Sequence, residues 1–270
     1  MANALGEYLR ARRALVDPAD AGLRVTGVRR TPGLRREEVA MLAGISADYY
    51  LRLEQGRDRN PSVPVLEALA RVFRLDATAT HYLLSLSAAQ PRTARRPKRE
   101  TVPTGIRQLL DALQLPAFVE NPMFDVLAAN RLASALSPTI RPGENRLRAM
   151  FLEESERDLY PEWEHAIGGM VAAFRASLGT DVDDPRAVQL VGELSLASET
   201  FRRLWARHDV KALGGGPVRM RHPEVGPLEL RREKLAIGDT GGQLLVVYHA
   251  EAGSDSARSL ALLGSLAATG

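Results

Sequence analysis

The segment from Arg35 to Gln55 constrains the fold more than any other part of this 270-residue chain. It reads RREEVAMLAGISADYYLRLEQ, with apolar residues at helical spacing on both sides of Gly44. Gly44 suits a tight turn, and the side chain of Ser46 can cap the helix that follows it. The pattern therefore predicts two short helices that cross closely at the small side chain of Ala40.

The second helix of this pair has one apolar side and one polar side. Tyr50 and Leu53 lie three residues apart, and we expect both in a small core. The opposite side presents Ala47, Asp48, Tyr49 and Arg52. A helix of this size fits the major groove of DNA, where its N-terminal residues lie nearest the base edges. An ordinary helical pair would show the same spacing, so charge has to help decide between the two interpretations.

The charge of the chain is distributed unevenly. Residues 1–100 contain 18 Arg and Lys against 11 Asp and Glu, whereas the remaining residues contain 18 against 22. A basic N-terminal part beside an acidic remainder favours nucleic-acid binding by the first part. We expect the helix face to read bases and the neighbouring arginines to hold phosphates. The candidate DNA-binding residues are Arg29, Arg30, Arg35, Arg36, Ser46, Ala47, Asp48, Tyr49, Arg52 and Arg57.

Three more helices are predicted around this pair. Helical spacing predicts one over residues 4–16 and two between Pro61 and Leu86, the second of them capped by Asp76. Residues 1–89 therefore read as an all-α domain of five helices. Residues 90–103, QPRTARRPKRETVP, are rich in proline and charge and predict a solvated linker.

The pattern of apolar and turn-forming residues changes over residues 104–270. Short strands are predicted at 117–120, 125–128, 218–222, 228–235 and 244–249, with helices between the second and third strands and over 256–267. This order predicts an α+β domain with an antiparallel sheet. In the strand over 228–235, Leu228, Leu230, Arg232 and Lys234 share one side, so apolar and polar residues alternate imperfectly.

Several classes of chemistry have little support in the sequence. The chain has no cysteine, which excludes disulfides, cysteine metal sites and a thiol nucleophile. Its five histidines form no H-E-x-x-H pattern, and no nucleotide-binding or nucleophile motif occurs. We expect no catalytic residues, no metal and no cofactor. No apolar run reaches the ~18–20 residues that span a membrane, so we expect a cytoplasmic protein without a membrane partner.

The N-terminal motifs carry a resemblance to a known family. GLRREEVAMLAGISADYYLRLEQGR, followed by NPSVPVLEALARVFRLD, resembles the Xre-type helix-turn-helix regulators over residues 4–88. That family shares its fold with phage repressors and often begins the first motif helix with Thr-Gln, where Gln bonds a phosphate. Arg35 and Arg36 stand there in this chain, so the resemblance implies an ionic contact. The long segment 17–33 resembles an actinobacterial branch of the family.

The second half resembles the MmyB-like ligand-binding domain over residues 105–268. The matching pieces are FVENPMFDVLAANRLASAL, RDLYPEWE, FRRLWARHDV, HPEVGPLEL and LLVVYHAEAGSDSA. That domain is similar to PAS domains, in which helices flank an antiparallel sheet around an apolar cavity. The resemblance implies a small apolar effector, with fatty acids as the usual suggestion.

Candidate ligand-binding residues are the large aromatic residues of this half and its basic residues. By default, each aromatic residue is interpreted as part of the packed core. Most of the arginines are interpreted by default as solvated surface residues. A buried arginine could bond a carboxylate through two parallel hydrogen bonds. The candidates are Phe124, Phe151, Trp163, Phe201, Arg202, Trp205, His208, Arg219, His222 and Tyr248.

The function predicted from these features is a sequence-specific transcription regulator that a small apolar effector controls. One alternative is a small-molecule binding protein or enzyme with a vestigial DNA-binding domain. Another is a phage-type repressor without a ligand, whose second domain would be solid. One reading helix covers only half a site, so we expect a homodimer on a double-stranded operator. Residues 256–267 and His81–Leu86 are the candidate dimer surfaces.

Overall fold

A computed structural model describes residues 4–23, 29, 31, 33–58, 60–87, 100–179, 184–212 and 214–269. Within these ranges the N-terminal part is entirely helical, and the C-terminal part places helices around one antiparallel sheet. The predicted fold class is therefore confirmed. None of the described helices is both long enough and apolar enough to cross a bilayer.

The N-terminal part contains the five predicted helices. They are α1 (Ala4–Leu15), α2 (Arg36–Ala43), α3 (Ala47–Glu54), α4 (Val63–Val72) and α5 (Ala77–Ser87). Their apolar sides meet in one core whose most buried members include Leu9, Leu34, Tyr50, Leu66 and Leu83. Tyr50 and Leu53 are fully buried, as the spacing on α3 predicts.

The corner between α2 and α3 is built by two residues. Gly44 ends α2 with a φ of +69°, in the left-handed region that disfavours residues with a Cβ atom. The hydroxyl of Ser46 then accepts a hydrogen bond from the amide of Tyr49 at 3.1 Å. This cap satisfies an amide that the first turn of α3 would otherwise leave without a partner. The corner thus fixes the direction in which α3 leaves the core.

The C-terminal part is organised by five strands. They are β1 (Ala117–Glu120), β2 (Val126–Ala129), β3 (Gly216–His222), β4 (Gly226–Ala236) and β5 (Leu244–His249). Their spatial order is β2-β1-β5-β4-β3, and every neighbouring pair is antiparallel. Val246 on the central β5 is opposite Phe118 on β1 and Lys234 on β4. These three residues therefore share one face of the sheet.

Eight helices accompany the sheet among the described residues. They are α6 (Thr104–Ala112), α7 (Arg131–Leu136), α8 (Arg146–Leu152), α9 (Glu154–Leu159), α10 (Trp163–Leu178), α11 (Pro185–Ala197), α12 (Glu199–Ala206) and α13 (Asp255–Thr269). Six of them follow the sequence-based prediction, while α6 and α9 were not predicted. The sequence of α9, ESERDL, has a single large apolar residue, so its periodicity gives no helical signal.

The two faces of the sheet have different coverings. Val119 and Leu245 pack on one face against Leu110 of α6 and against Val102. Phe118, Val246 and Tyr248 lie on the other face, in the cluster that includes residues of α7, α8, α10 and α13. The burial of Val102 corrects part of the linker prediction, because this end of residues 90–103 packs on the sheet. Residues 90–99 lie outside the described ranges.

Candidate DNA-reading helix and ligand cavity

The outer face of α3 presents the side chains that the sequence predicts there. Ala47 and Asp48 are exposed, while Tyr49 and Arg52 are partly exposed. Arg52 forms an ion pair with Asp48 one turn earlier, and its guanidinium carbon lies 5.6 Å from the centre of the Tyr49 ring. The three polar side chains thus form one continuous surface. A base edge would have to replace Asp48 as the partner of Arg52.

A buried carboxylate holds the helices that carry this face. The side chain of Glu54 on α3 is fully buried and accepts from Arg13 Nε at 2.6 Å and from Arg36 Nε at 2.7 Å. Burial raises the pKa of a carboxyl group, but the hydrogen bonds from Arg13 and Arg36 hold the pKa of Glu54 below its ordinary value. One carboxylate therefore ties α3 to both α1 and α2. Glu54 is not among the residues predicted from sequence to contribute to this site.

The candidate phosphate-binding arginines have different surroundings. Arg29 donates to both carboxylate oxygens of Glu38, at 2.6 and 2.9 Å, and to the carbonyl of Gly33. This bidentate pair orients Arg29 towards the start of α2, so the structure does not place it among outward-facing phosphate ligands. Arg30 lies outside the described residues.

Three other arginines surround α3 in positions open to solvent. Arg35 is exposed directly before α2, and Arg57 is exposed just beyond α3. Arg36 keeps 43% of its side chain exposed while it contacts Glu54. Exposed cationic side chains therefore stand before α2, at its start and just after α3.

A cavity of about 320 Å³ lies between the sheet and α10. Its walls combine apolar and polar side chains, and the apolar ones include Phe118, Phe124, Met150, Ala166, Met170 and Val246. Small residues on α10, Gly169 and Ala173, face the same space. The C-terminal part therefore contains a cavity, which the solid second domain of a repressor without a ligand would lack.

One end of the cavity is lined by three cationic side chains and one carboxylate. Lys234 Nζ donates to Glu120 Oε1 at 2.6 Å, and both side chains are about 95% buried, with 5% and 4% exposed. Arg146 is also buried, and its Nη2 donates to the hydroxyl of Tyr160 at 3.3 Å. Arg232 on β4 is the third cation that lines the cavity. We call Arg146, Arg232 and Lys234 the cationic end.

The tyrosine beside these residues is affected by their charge. Burial raises the pKa of a phenol, but Arg146 and Arg232 together bring the pKa of Tyr248 below its ordinary value. For Lys234, burial lowers the pKa, and the carboxylate of Glu120 opposes that shift. The positive charge of Arg146 and Arg232 thus favours a negatively charged group beside Tyr248.

Two donors at this end have no acceptor among the described residues. They are the Nε atoms of Arg146 and Arg232, both of which are buried. A buried donor without a partner costs free energy, and so does an excess of buried positive charge. Arg146, Arg232 and Lys234 face two buried carboxylates, Glu120 in the cavity wall and Glu156 near Arg146, so positive charge exceeds negative charge among these five groups. An anionic group placed there would accept hydrogen bonds from the Nε atoms and offset the excess positive charge.

Three of the ten predicted ligand-binding residues line the cavity. Phe124 contributes its ring to the wall and has a φ of +66°. Tyr248 lies beside the cationic end. Arg219 lies on β3 and is two-thirds exposed, where it pairs with Glu162 at 3.1 Å.

The other four predicted aromatic residues do not line this cavity. Phe201 packs edge-on against Phe151 at 5.2 Å and stacks on Trp205 at 5.8 Å between ring centroids. Trp163 donates from Nε1 to the carbonyl of Met150 at 2.8 Å. These residues fill the space between α8, α10 and α12, so their role in the structure is core packing.

The other three predicted basic residues are also elsewhere. Arg202 is exposed on α12. His222 is buried, with Nε2 3.0 Å from the carbonyl oxygen of Ala135, and Nδ1 accepts from the amide of Glu224. His208 lies against Tyr8 of α1, at the contact between the two parts of the chain. These three residues do not line the cavity, so the structure does not place them where they could bind a ligand carboxylate inside it.

None of the three residues of the cationic end is among the ligand-binding residues predicted from sequence, although the sequence contains one signal for them. Arg232 and Lys234 share a side of β4 with Leu228 and Leu230, which are buried. Charged residues on the buried side of a strand indicate a polar site inside the domain. Arg146 gave no such signal, because it begins a short helix. Among the described residues there is no group of side chains that could hold a metal ion.

Two family models match the chain. The one described as the MmyB-like transcription regulator ligand binding domain matches residues 102–263. The one described as a helix-turn-helix domain matches residues 4–83. No curated protein matches the chain significantly. The two matched ranges contain the cavity and the reading helix, respectively.

Proposed function

The chain belongs to the family of transcription regulators with an MmyB-like ligand-binding domain behind a helix-turn-helix domain, and we propose that its effector is an apolar acid. The effector's apolar body fills the cavity beside α10, and its single anionic group lies at the cationic end. A fatty-acid-like molecule has this chemistry. The protein acts on DNA as a homodimer.

The observation that carries this proposal is the excess of buried positive charge in a cavity whose walls also include a set of apolar side chains. Each methylene that leaves water contributes about 0.8 kcal/mol, so the walls favour an acyl or other hydrocarbon body. A carboxylate can accept two parallel hydrogen bonds from one guanidinium group. The unpartnered Nε atoms of Arg146 and Arg232 are the donors available for that role.

Paired titrations test the chemistry of the effector. We expect dodecanoate to bind the purified protein at least about tenfold more tightly than dodecanol, because only the acid has a group for the cationic end. Arg232→Gln removes that difference, whereas Arg202→Gln, an exposed position on α12, keeps it. Equal affinity for the acid and the alcohol would exclude an anion-binding cavity. Mass spectrometry of molecules carried by the purified protein identifies the natural effector.

DNA binding by α3 is proposed with specific roles. Ala47, Asp48, Tyr49 and Arg52 face the bases, and Arg35, Arg36 and Arg57 hold phosphates. Selection from a random duplex library should return one preferred sequence. Affinity should fall steeply with salt, because each phosphate contact releases counterions. A vestigial DNA-binding domain, the alternative function, would return no preferred sequence.

The homodimer is proposed to form through the groove between α6 and α13. Leu262 on α13 is 52% exposed and Leu109 on α6 is 42% exposed. Apolar side chains such as Leu110, Leu113 and Leu260 line the groove itself. The other candidate surface, α5, contacts α10 of the same chain.

Light scattering on variants tests the dimer surface. We expect Leu262→Lys to convert the dimer to a monomer, because the charge would be buried in the interface. Leu196→Lys on α11 is the matched control, since Leu196 is 87% exposed and far along the chain from both helices. A wild-type monomer at micromolar concentration, or a dimer that Leu262→Lys leaves intact, would contradict this surface.

A further inference from the structure

The segment between α12 and β3 touches both the DNA-binding part and the ligand cavity. It runs from Arg207 to Gly216, with residue 213 outside the described ranges. We call it the coupling segment. Its first half packs against α1 and α5, and its second half forms part of the cavity wall.

The first half of the coupling segment is fastened to the helix-turn-helix part by three contacts. Val210 is 9% exposed and belongs to the core that α1 and α5 share. Asp209 Oδ1 accepts from Arg12 Nη1 of α1 at 2.8 Å. The ring of His208 lies edge-on to Tyr8, with 6.5 Å between centroids. Apolar, ionic and aromatic contacts thus meet within three consecutive residues.

The second half lies against the cavity and its cationic end. Lys211, Ala212, Gly214 and Gly215 all line the cavity. The amide of Lys211 donates to the carbonyl of Ala172 on α10 at 3.2 Å. A Cβ atom on Gly215 would stand 2.5 Å from the carbonyl oxygen of Arg232, so the segment passes directly over that residue of the cationic end.

A second connection runs parallel to this segment through α10. Arg175 is buried, donates from Nη2 to the carbonyl of Trp205 at 2.6 Å, and stacks 3.7 Å above the Trp205 ring. Helix α10 also contacts α5. The cavity-lining helix and the coupling segment therefore approach the DNA-binding part at the same place.

We propose that the coupling segment transmits effector binding from the cavity to the DNA-binding part. An occupant of the cavity displaces the wall formed by residues 211, 212 and 214–216, and the attached backbone withdraws Asp209 and Val210 from the DNA-binding part. The release changes how the two reading helices of a dimer are spaced. The inference rests on the proposed function, because it needs a ligand that binds the docked and released forms with different affinity.

Hydrogen exchange on the full-length protein tests the release directly. Saturating dodecanoate should raise the exchange rate of amides in residues 207–212 at least about fivefold, while amides of α4 keep their rates. Helix α4 serves as the internal control because the helices it packs against most are α2 and α5. Protection confined to β1, β5 and α10, with unchanged rates in residues 207–212, would overturn the proposal.

A pair of variants tests whether the contact carries the coupling. The measured quantity is the ratio of operator Kd values with and without dodecanoate. Asp209→Asn weakens the contact with Arg12 and should bring this ratio to within about twofold of one, with dodecanoate still bound. Glu199→Gln, an exposed acid-to-amide change on α12, should leave the ratio at its wild-type value. An unchanged ratio in Asp209→Asn would overturn the proposal.

A variant without any ligand separates this inference from the effector assignment. Ala166→Phe places a ring in the cavity from α10. It should raise exchange in residues 207–212 as an occupant would, while the central strands remain protected. If dodecanoate fails to bind, the proposed effector class is wrong. Exchange in the Ala166→Phe protein still tests whether filling the cavity releases residues 207–212. Dodecanoate could instead bind and shift DNA affinity while neither it nor Ala166→Phe changes exchange in residues 207–212. The proposed role of the coupling segment would then be wrong, and effector control of DNA binding would remain supported.

Discussion

Single side chains on the outer face of α3 are proposed to determine how this helix contacts DNA. Arg52 is held by Asp48 on one side and lies over the Tyr49 ring on the other. An arginine of this kind can bond the O6 and N7 atoms of guanine through two hydrogen bonds. The ion pair with Asp48 would have to open first, and a base edge that offers two acceptors would compensate for its loss. We therefore expect Asp48 to sharpen the choice of base.

Arg52→Ala should reduce affinity for the selected operator by about 1–3 kcal/mol and relax preference at one base pair. Arg35→Ala should instead weaken binding to all duplexes alike and flatten the salt dependence, because it removes a phosphate contact. Gel-shift titrations at two salt concentrations measure both effects. Unchanged specific binding by Arg52→Ala would show that α3 does not read the operator in this way.

Glu54→Gln should lower the free energy of unfolding by about 3 kcal/mol, because it leaves the charge of Arg13 largely buried without its partner. Glu67→Gln on α4 is the matched control at an exposed position and should change stability by less than about 0.5 kcal/mol. Urea unfolding measures both. Equal stability of the two variants would remove Glu54 from its role in fastening α1, α2 and α3.

The same carboxylate gives a pH dependence with a defined sign. The pKa of Glu54 is lower in the folded protein than in the unfolded chain. Its contribution to stability is therefore present above the unfolded pKa, near about 4.3, and is lost as the pH falls through the folded value. Glu54→Gln should lack this part of the acid-induced loss of stability.

Individual residues show what sequence can and cannot predict about the sites. The outward face of α3 follows from helical spacing alone, because Tyr50 and Leu53 fix which side is buried. The cavity residues do not follow, since Arg146, Arg232 and Phe118 come from different elements and meet only through the sheet register. Aromatic residues such as Phe201 mark an apolar interior, yet their composition does not distinguish a packed cluster from a cavity wall.

Contacts between helices and strands determine the parts of the fold that local sequence patterns do not. Most helices and strands of this chain have clear periodicity, and the structure confirms them. Helix α9 has almost none and forms beside α8, so packing within the domain overrides its weak signal. The docking of residues 208–210 on α1 is likewise invisible in sequence. It joins groups about 200 positions apart, and no local pattern reports such a contact.

His208 should make this docking sensitive to pH. Burial lowers the pKa of His208 to about 4, with Arg175 and Arg12 adding to the shift and Asp209 opposing it. The ring of Tyr8 faces it from α1. A released imidazole takes up a proton near pH 6.5, whereas the docked one does not. Docking is therefore strongest above about pH 6.5 and weakens as the pH falls towards 4.

Unfolding measured between pH 4 and 7 tests this contact. The wild-type protein should lose stability as the pH falls through this range, and His208→Gln should flatten that slope. His165→Gln is the control, because His165 is exposed on α10. The contact would have no part in the pH dependence if the His208→Gln protein kept the wild-type slope.

The whole molecule joins a basic helix-turn-helix domain to a ligand-binding domain that contains a cavity. A homodimer would carry two reading helices, and two half-sites provide the specificity that one helix lacks. We expect a nuclease footprint over a near-palindromic operator, with two chains per duplex. A footprint over one half-site with a single bound chain would contradict this assembly.

Reciprocal linkage between effector and operator is the most direct test of the account. Two factors are measured on the full-length protein: the change in operator Kd on adding saturating dodecanoate, and the change in dodecanoate Kd on adding saturating operator. Thermodynamic linkage requires the two factors to be equal, and couplings of this kind are typically about 5- to 150-fold. We predict equal factors of at least about fivefold. A dodecanoate Kd that is the same with and without operator would contradict effector control of DNA binding.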